Sequence, residues 1–309
     1  MVESFLIIIN QVAVLFILIA IGFLLRKVNL LEEKAVKGIT NVVLYAVTPC
    51  VIIRSFNREM NVELLKGLLL TFAVSILSYI FIIVLTNFIV KDNDDSRRRI
   101  YRFAIIFSNT GFMGIPIYQA VLGDIGVFYG SAYIAMFNVF CWTYGYMMMD
   151  GKSKSFDIKK AIVNPGVLST IIGVIIFIAG IRVPAILEVP MADMAALNTP
   201  LPMLVIGYFL AGIALSDFKD AKQYYIIACK LIFVPVLVIA LTYLFGVRGD
   251  VFLICAIAVS TPCATTTTMF SEKFGRDAML ASRVVSMATL LSIVTMPIII
   301  SLAQTIAYR

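Results

Sequence analysis

The sequence predicts an all-α membrane protein of ten transmembrane helices arranged as two inverted five-helix repeats. Three observations predict it. The 309 residues are 61% hydrophobic and 14% charged, with a mean hydropathy of +1.00. Soluble domains are about 45–50% apolar and about 25% charged. Ten apolar windows of about 20 residues follow one another, each long enough to cross about 30 Å of hydrocarbon. Lysine and arginine gather on alternate connections between those windows.

The windows cover 5–26, 35–55, 64–90, 100–122, 125–149, 162–181, 197–215, 222–245, 250–271 and 278–303. The first follows a short polar start and reads as a spanning helix, not a cleaved signal peptide. The third is long and is predicted to tilt. The second and seventh are interrupted by proline, as Pro49 and Pro200.

Charge orients the windows. One side of the membrane receives Arg26, Lys27, Lys34 and Lys37; Lys91, Arg97, Arg98, Arg99 and Arg102; Lys152, Lys154, Lys159 and Lys160; Lys219 and Lys222; and Lys273, Arg276 and Arg283. The other side receives Arg54, Arg58, Lys66, Arg182, Arg248 and Arg309. This three-to-one bias in short connections assigns the first set to the cytoplasm and both termini to the outside. It also accounts for the net charge of +7 without a nucleic-acid partner.

Composition excludes much chemistry. The chain has no histidine, which removes His-based acid–base catalysis, Ser-His and Cys-His nucleophiles and most zinc sites. Cys50, Cys141, Cys229, Cys255 and Cys263 lie in apolar windows without metal-ligand spacing and read as small buried side chains. There is no phosphate-binding P-loop pattern, and no cofactor is expected. No Asp or Glu lies deep in a window, so an intramembrane enzyme lacks a nucleophile–base pair.

Ten windows divide into two sets of five, and an odd number per set makes the halves opposite in orientation. Tyr45–Ile53 (YAVTPCVII) has a counterpart in Leu197–Gly207 (LNTPLPMLVIG), with Pro49 and Pro200 151 residues apart. Pro116 in the fourth window and Pro262 in the ninth are 146 apart. Around them stand Ser108, Asn109, Thr110, Gly111 and Gly114, and Ser260, Thr261 and Thr265 to Thr268. Small residues of this kind also serve helix packing, and Ser/Thr runs can bond back to their own helix. Two helix breaks at corresponding positions point instead to a binding site, because unsatisfied backbone cannot face lipid. The fresh N-termini there offer N–H groups to an anion. Asn109 is the sharpest residue, since a midplane amide needs partners.

At these residues the chain resembles the auxin efflux carrier family, the PIN-type transporters. The resemblance rests on NTGFMGIPI (Asn109–Ile117), on Ile39–Ile53, on KLIFVP (Lys230–Pro235) and on Gly246–Ile298, and extends over essentially the whole chain. It implies that residues 1–60 and 156–217 form a scaffold and dimer platform. Residues 61–155 and 218–309 would form a transport domain in which the broken fourth and ninth helices cross at Pro116 and Pro262. It implies an elevator-like shift of a small organic anion: indole-acetic acid in plants, or dicarboxylates such as malate or malonate in bacteria. The short Asp150–Lys160 connection departs from the long loop of many plant members. The hydroxyl-rich STPCATTTT (Ser260–Thr268) suits a smaller, more polar anion than an indole.

Two features bear on coupling. Lys230 lies eight residues into the eighth window, at about 12 Å of depth. It either serves the site electrostatically or snorkels to the interface. Glu63 and Lys66 share a helix face at the outer start of the third window and read as a surface pair. They also match an acid/base position of the plant carriers.

The expectation is a secondary transporter or efflux carrier of small organic anions, or a uniporter driven by gradient and membrane potential, in the cell's inner (plasma) membrane, with a homodimer implied by resemblance. Asn109 and backbone N–H groups at Thr110, Gly111, Cys263 and Ala264 are expected to hold a carboxylate, helped by Ser260, Thr261 and Thr265. A sodium-coupled symporter of bile-acid-carrier type and a non-transporting receptor remain alternatives.

Overall fold

The structure is a computed structural model that describes residues 2–151, 163–212 and 220–308, with side chains from residue 9 onward. The expected basic residues Lys152, Lys154, Lys159, Lys160, Lys219 and Arg309 lie outside the described residues. So do the start of the sixth window, the end of the seventh, and the expected domain boundaries near 155 and 217.

The described chain is helical throughout. We number its helices α1 (Val2–Lys27), α2 (Glu33–Phe56), α3 (Val62–Ile89), α4 (Asp95–Ile106), α5 (Thr110–Asp150), α6 (Pro165–Ile178), α7 (Ala185–Leu210), α8 (Ala221–Leu244), α9 (Gly249–Ser260), α10 (Thr266–Lys273) and α11 (Ala278–Ala307). Seven of these described helices are long and apolar enough to cross a membrane: α1, α2, α3, α5, α7, α8 and α11. The shorter α6 and α9 are also apolar.

Polar residues at the helix starts explain where helices begin. The carboxamide or carboxylate of Asn61, Asp94, Asn164, Asp220 and Asp277 accepts backbone N–H groups at the heads of α3, α4, α6, α8 and α11. Gly123, at φ 63°, kinks α5 at the boundary expected between the fourth and fifth windows. Only a residue without a Cβ takes that conformation cheaply.

The seventh window differs from expectation. Hydropathy expects it at 197–215, yet α7 begins at Ala185 and turns at Leu197–Thr199. The first part, Ala185–Ala196, holds Glu188, Pro190 and Asp193 and has no buried residue, so hydropathy passed over it. It lies against the end of α2.

The prolines also act differently from expectation. Wide turns with i→i+5 hydrogen bonding occupy Val43–Val47, Thr110–Gly114 and Cys229–Phe233. Each ends two residues before a proline: Pro49, Pro116 and Pro235. The extra residue in the turn absorbs the carbonyl that a proline ring would strike and the N–H it lacks. These prolines are carried inside helices. The break in the fourth window therefore lies at Phe107–Asn109, before Pro116.

Packing falls into two neighbourhoods. α1 runs along the second part of α7, and α2 packs on α6 and on the first part of α7. A Cβ on Gly22 would collide with the Leu204 backbone, and one on Gly207 with the Ile19 carbonyl. Glycine is what lets these two helices touch backbone to backbone. The second neighbourhood joins α3 with α5, α9 with α5, α8 and α11, and α10 with α11.

Opposite the α3–α4 turn, Asp92 receives Lys222 at 2.5 Å and Arg97 at 3.7 Å, and Arg97 also reaches Asp220 at 3.3 Å. Burial opposes ionisation of Asp92. The hydrogen bonds from Lys222 and the Asp94 N–H, with the charges of Lys222 and Arg97, nonetheless hold its carboxyl below the usual range.

Candidate functional site: two broken helices paired backbone to backbone

α4 ends at Ile106 and α9 at Ser260, both inside the molecule. Their last residues lead into short extended segments that run antiparallel. The Asn109 N–H donates to the Pro262 carbonyl at 2.8 Å, and the Ala264 N–H donates to the Phe107 carbonyl at 2.9 Å. Ser108 and Cys263 stand opposite each other in this pair. Buried backbone must find partners, and here each break supplies one donor and one acceptor to the other.

The pairing sorts the expected site residues. The N–H of Ala264 is consumed by Phe107, and that of Thr110 by the Ser108 carbonyl at 2.8 Å. Neither is available to an anion, contrary to expectation. Gly111 and Phe112 head the next helical stretch, and their N–H groups find no acceptor among the described residues. The Asn109 carbonyl takes the N–H groups of Met113 and Gly114 at 3.1 and 3.2 Å. The Asn109 side chain is 6% exposed and makes no hydrogen bond among the described residues. A buried amide without partners is costly unless a ligand or water serves it.

The hydroxyls divide as well. Ser260 donates to the Ala256 carbonyl at 2.6 Å and Thr261 to the Ala258 carbonyl at 2.8 Å. Both protons are spent on α9 itself, so these side chains have none to offer an anion. The buried Thr110 and Thr267 hydroxyls have no partner among the described residues. Thr267 escaped the sequence reading because it is one of four consecutive threonines, and only the fold tells them apart. Thr265 is half-buried, and its carbonyl accepts the Thr268 N–H.

Pro262 lies within the pair, its carbonyl accepting the Asn109 N–H. Pro116 does not, being eight residues beyond Ser108 in α5. It lines a cavity of about 260 Å³ between α2, α5 and α7, with Arg54, Ser55, Gln119, Asp124 and Asn198. The Gln119 carboxamide donates to Asp124 at 3.0 Å. Arg54 makes no ion pair among the described residues.

Lys230 is fully buried in the wide turn of α8, and its ammonium donates to the Ser108 hydroxyl. It does not snorkel. Glu63 and Lys66 are exposed and form no ion pair with each other, and Glu63 sits in the first turn of α3. Among the described residues, no His, Cys, Asp and Glu group could hold a metal ion.

Comparison with known proteins identifies the frame that carries this site. Residues 7–300 match the family described as "Membrane transport protein". The chain belongs to that family. It is a multi-pass membrane transporter, and the family is the auxin efflux carrier type that the motifs resemble. An "Uncharacterized transporter" of Methanothermobacter thermautotrophicus is 21% identical over 91% of this chain and 94% of its own. One of Methanocaldococcus jannaschii is 22% identical over 92% and 95%. A protein of Rhizobium meliloti named "Putative malonate transporter" is 23% identical over 91% of both chains.

Proposed function

We propose that this transporter is a secondary carrier of small organic anions, with short dicarboxylates such as malonate its first candidate substrates. The observation that carries the reading is the buried, unpartnered Asn109 amide with the free N–H groups of Gly111 and Phe112 and the free Thr110 hydroxyl next to it in sequence; the free Thr267 hydroxyl lies in the first turn of α10. All are neutral hydrogen-bond donors at the start of helices, where the backbone dipole favours negative charge. The name of the Rhizobium relative supports the dicarboxylate. A membrane potential, negative inside, drives anion exit by about 2.3 kcal/mol per charge per 100 mV, so efflux needs no coupling ion.

In this reading the ten windows are two inverted repeats. Exchange of packing partners supports that arrangement: α1 with α7 mirrors α6 with α2, and the two breaks pair about the same point. α1, α2, α6 and α7 would be the scaffold and dimer platform, and the other helices the moving body. The 260 Å³ cavity at their border would be the entry, on the outer side with Arg54 and both termini.

The test is uptake of labelled malonate, malate, succinate, a monocarboxylate and indole-acetate into proteoliposomes of inner-membrane lipid, with and without an imposed potential. Potential-dependent flux of one anion, lost in Asn109→Ala, is the expected result. Binding without flux would make the protein a receptor. Flux requiring sodium would make it a symporter. Either overturns the proposal.

A further inference from the structure

The paired breaks bring four helix ends together, and they form two opposite poles. α5 and α10 begin there, offering N–H groups. α4 and α9 end there, offering carbonyls. The carbonyls of Ala104, Ile105 and Ile106, and those of Val259 and Ser260, receive no backbone hydrogen bond among the described residues. In transporters with broken helices, C-terminal ends of this kind bind small cations.

Lys230 reaches the paired segments from α8. Its turn packs against α4, α9 and α11, and its ammonium is hydrogen-bonded to Ser108, two residues beyond the end of α4. Ser108 faces Cys263, three residues beyond the end of α9. The group is 0% exposed, and no carboxylate lies within ion-pairing distance among the described residues. A buried charge without a counter-charge is costly. Helix C-terminal dipoles on one side offset that cost, and a bound anion one strand away offsets more.

We infer that Lys230 is a tethered cation, its ammonium held by Ser108 beside the C-terminal ends of α4 and α9 in place of a free coupling cation. Its consequence for transport rests on the anion-carrier reading above. The site itself does not.

Two readouts separate those claims. The first is malonate flux in proteoliposomes, with all sodium and potassium replaced by a bulky organic cation. The native chain is expected to keep its flux. Lys230→Arg keeps it too. Lys230→Ala is expected to lose at least about tenfold, the scale of one lost charge contact of about 1.4 kcal/mol. It should regain flux with about 100 mM sodium, lithium or methylammonium, a concentration that saturates a weak site. The second readout is the unfolding temperature of purified Lys230→Ala in detergent, expected to rise with those cations and not with the bulky one. If the variant is recovered only when they are present during extraction, that counts as the same result.

A native chain that needs sodium overturns the inference. So does Lys230→Ala with native flux in the bulky cation. So does a Lys230→Ala that no small cation stabilises, recovers or reactivates. If the native chain carries no anion at all, the anion reading fails, and the unfolding temperatures still decide the cation site.

Discussion

The two breaks share one backbone solution and differ in side-chain chemistry. At Phe107–Asn109 the side chains are turned outward from their helix: Ser108 to Lys230, Asn109 to no protein partner. At Ser260–Thr261 the hydroxyls are turned back onto α9. Pairing the backbones offsets part of the cost of breaking a helix in a membrane. It leaves the side chains free to diverge. On the proposed reading the first break would supply the recognition amide, while the second would contribute backbone and the Thr267 hydroxyl just beyond it.

Asn109→Ala is the substitution that tests this contrast hardest. It should leave the folded protein intact and reduce malonate binding by at least about tenfold, the scale of a lost hydrogen bond to a charged group, about 1.5–3 kcal/mol. Calorimetric titration of the purified protein measures it. Unchanged binding would remove the first break's special role.

Thr110→Val and Thr261→Val should move in opposite ways. Removing the unpartnered Thr110 hydroxyl relieves a buried donor and raises the unfolding temperature, by about 1 kcal/mol of stability, while anion affinity falls. Thr261→Val loses a hydrogen bond within α9, lowers stability by about 1 kcal/mol, and leaves anion affinity unchanged. Thermal unfolding with and without malonate reads both. Identical behaviour of the two variants would erase the difference between the breaks.

Gly111→Ala sharpens the comparison at smaller scale. A Cβ there meets no atom within 4 Å, so the fold should tolerate it. The methyl would crowd an anion reaching the Gly111 N–H, with an expected affinity loss of a few-fold, under about 1 kcal/mol.

The smallest effect lies away from the breaks. The Asp92 carboxyl is held below its ordinary value of about 4. Its contribution is therefore complete above that value and is lost as pH falls through the lowered folded pKa. Unfolding temperature measured from pH 7 downward should drop in acid, and Asp92→Asn should flatten part of that drop. A variant with the same acid profile as the native chain would show that the link to Lys222 and Arg97 is idle.

Much of this was legible beforehand. Hydropathy located α1, α2, α3, α8 and α11 to within a few residues, because lipid demands long unbroken apolar helices. It passed over Ala185–Ala196, where Glu188 and Asp193 break the apolar run. Asn109 could be singled out because an amide at that depth is anomalous in any fold. Thr267 could not be told from Thr265, Thr266 and Thr268, since four like residues in a row differ only in where the backbone aims them.

The sequence by itself determined that the chain is a membrane protein and that its fourth and ninth windows are interrupted, because composition and hydrogen-bonding capacity are properties of residues one at a time. The tertiary structure alone decided where the break falls, which N–H groups are spent and which are free, and that Lys230 meets Ser108 from 122 positions away. Those depend on which chain segments become neighbours, and a backbone group's partner is chosen only when the helices pack.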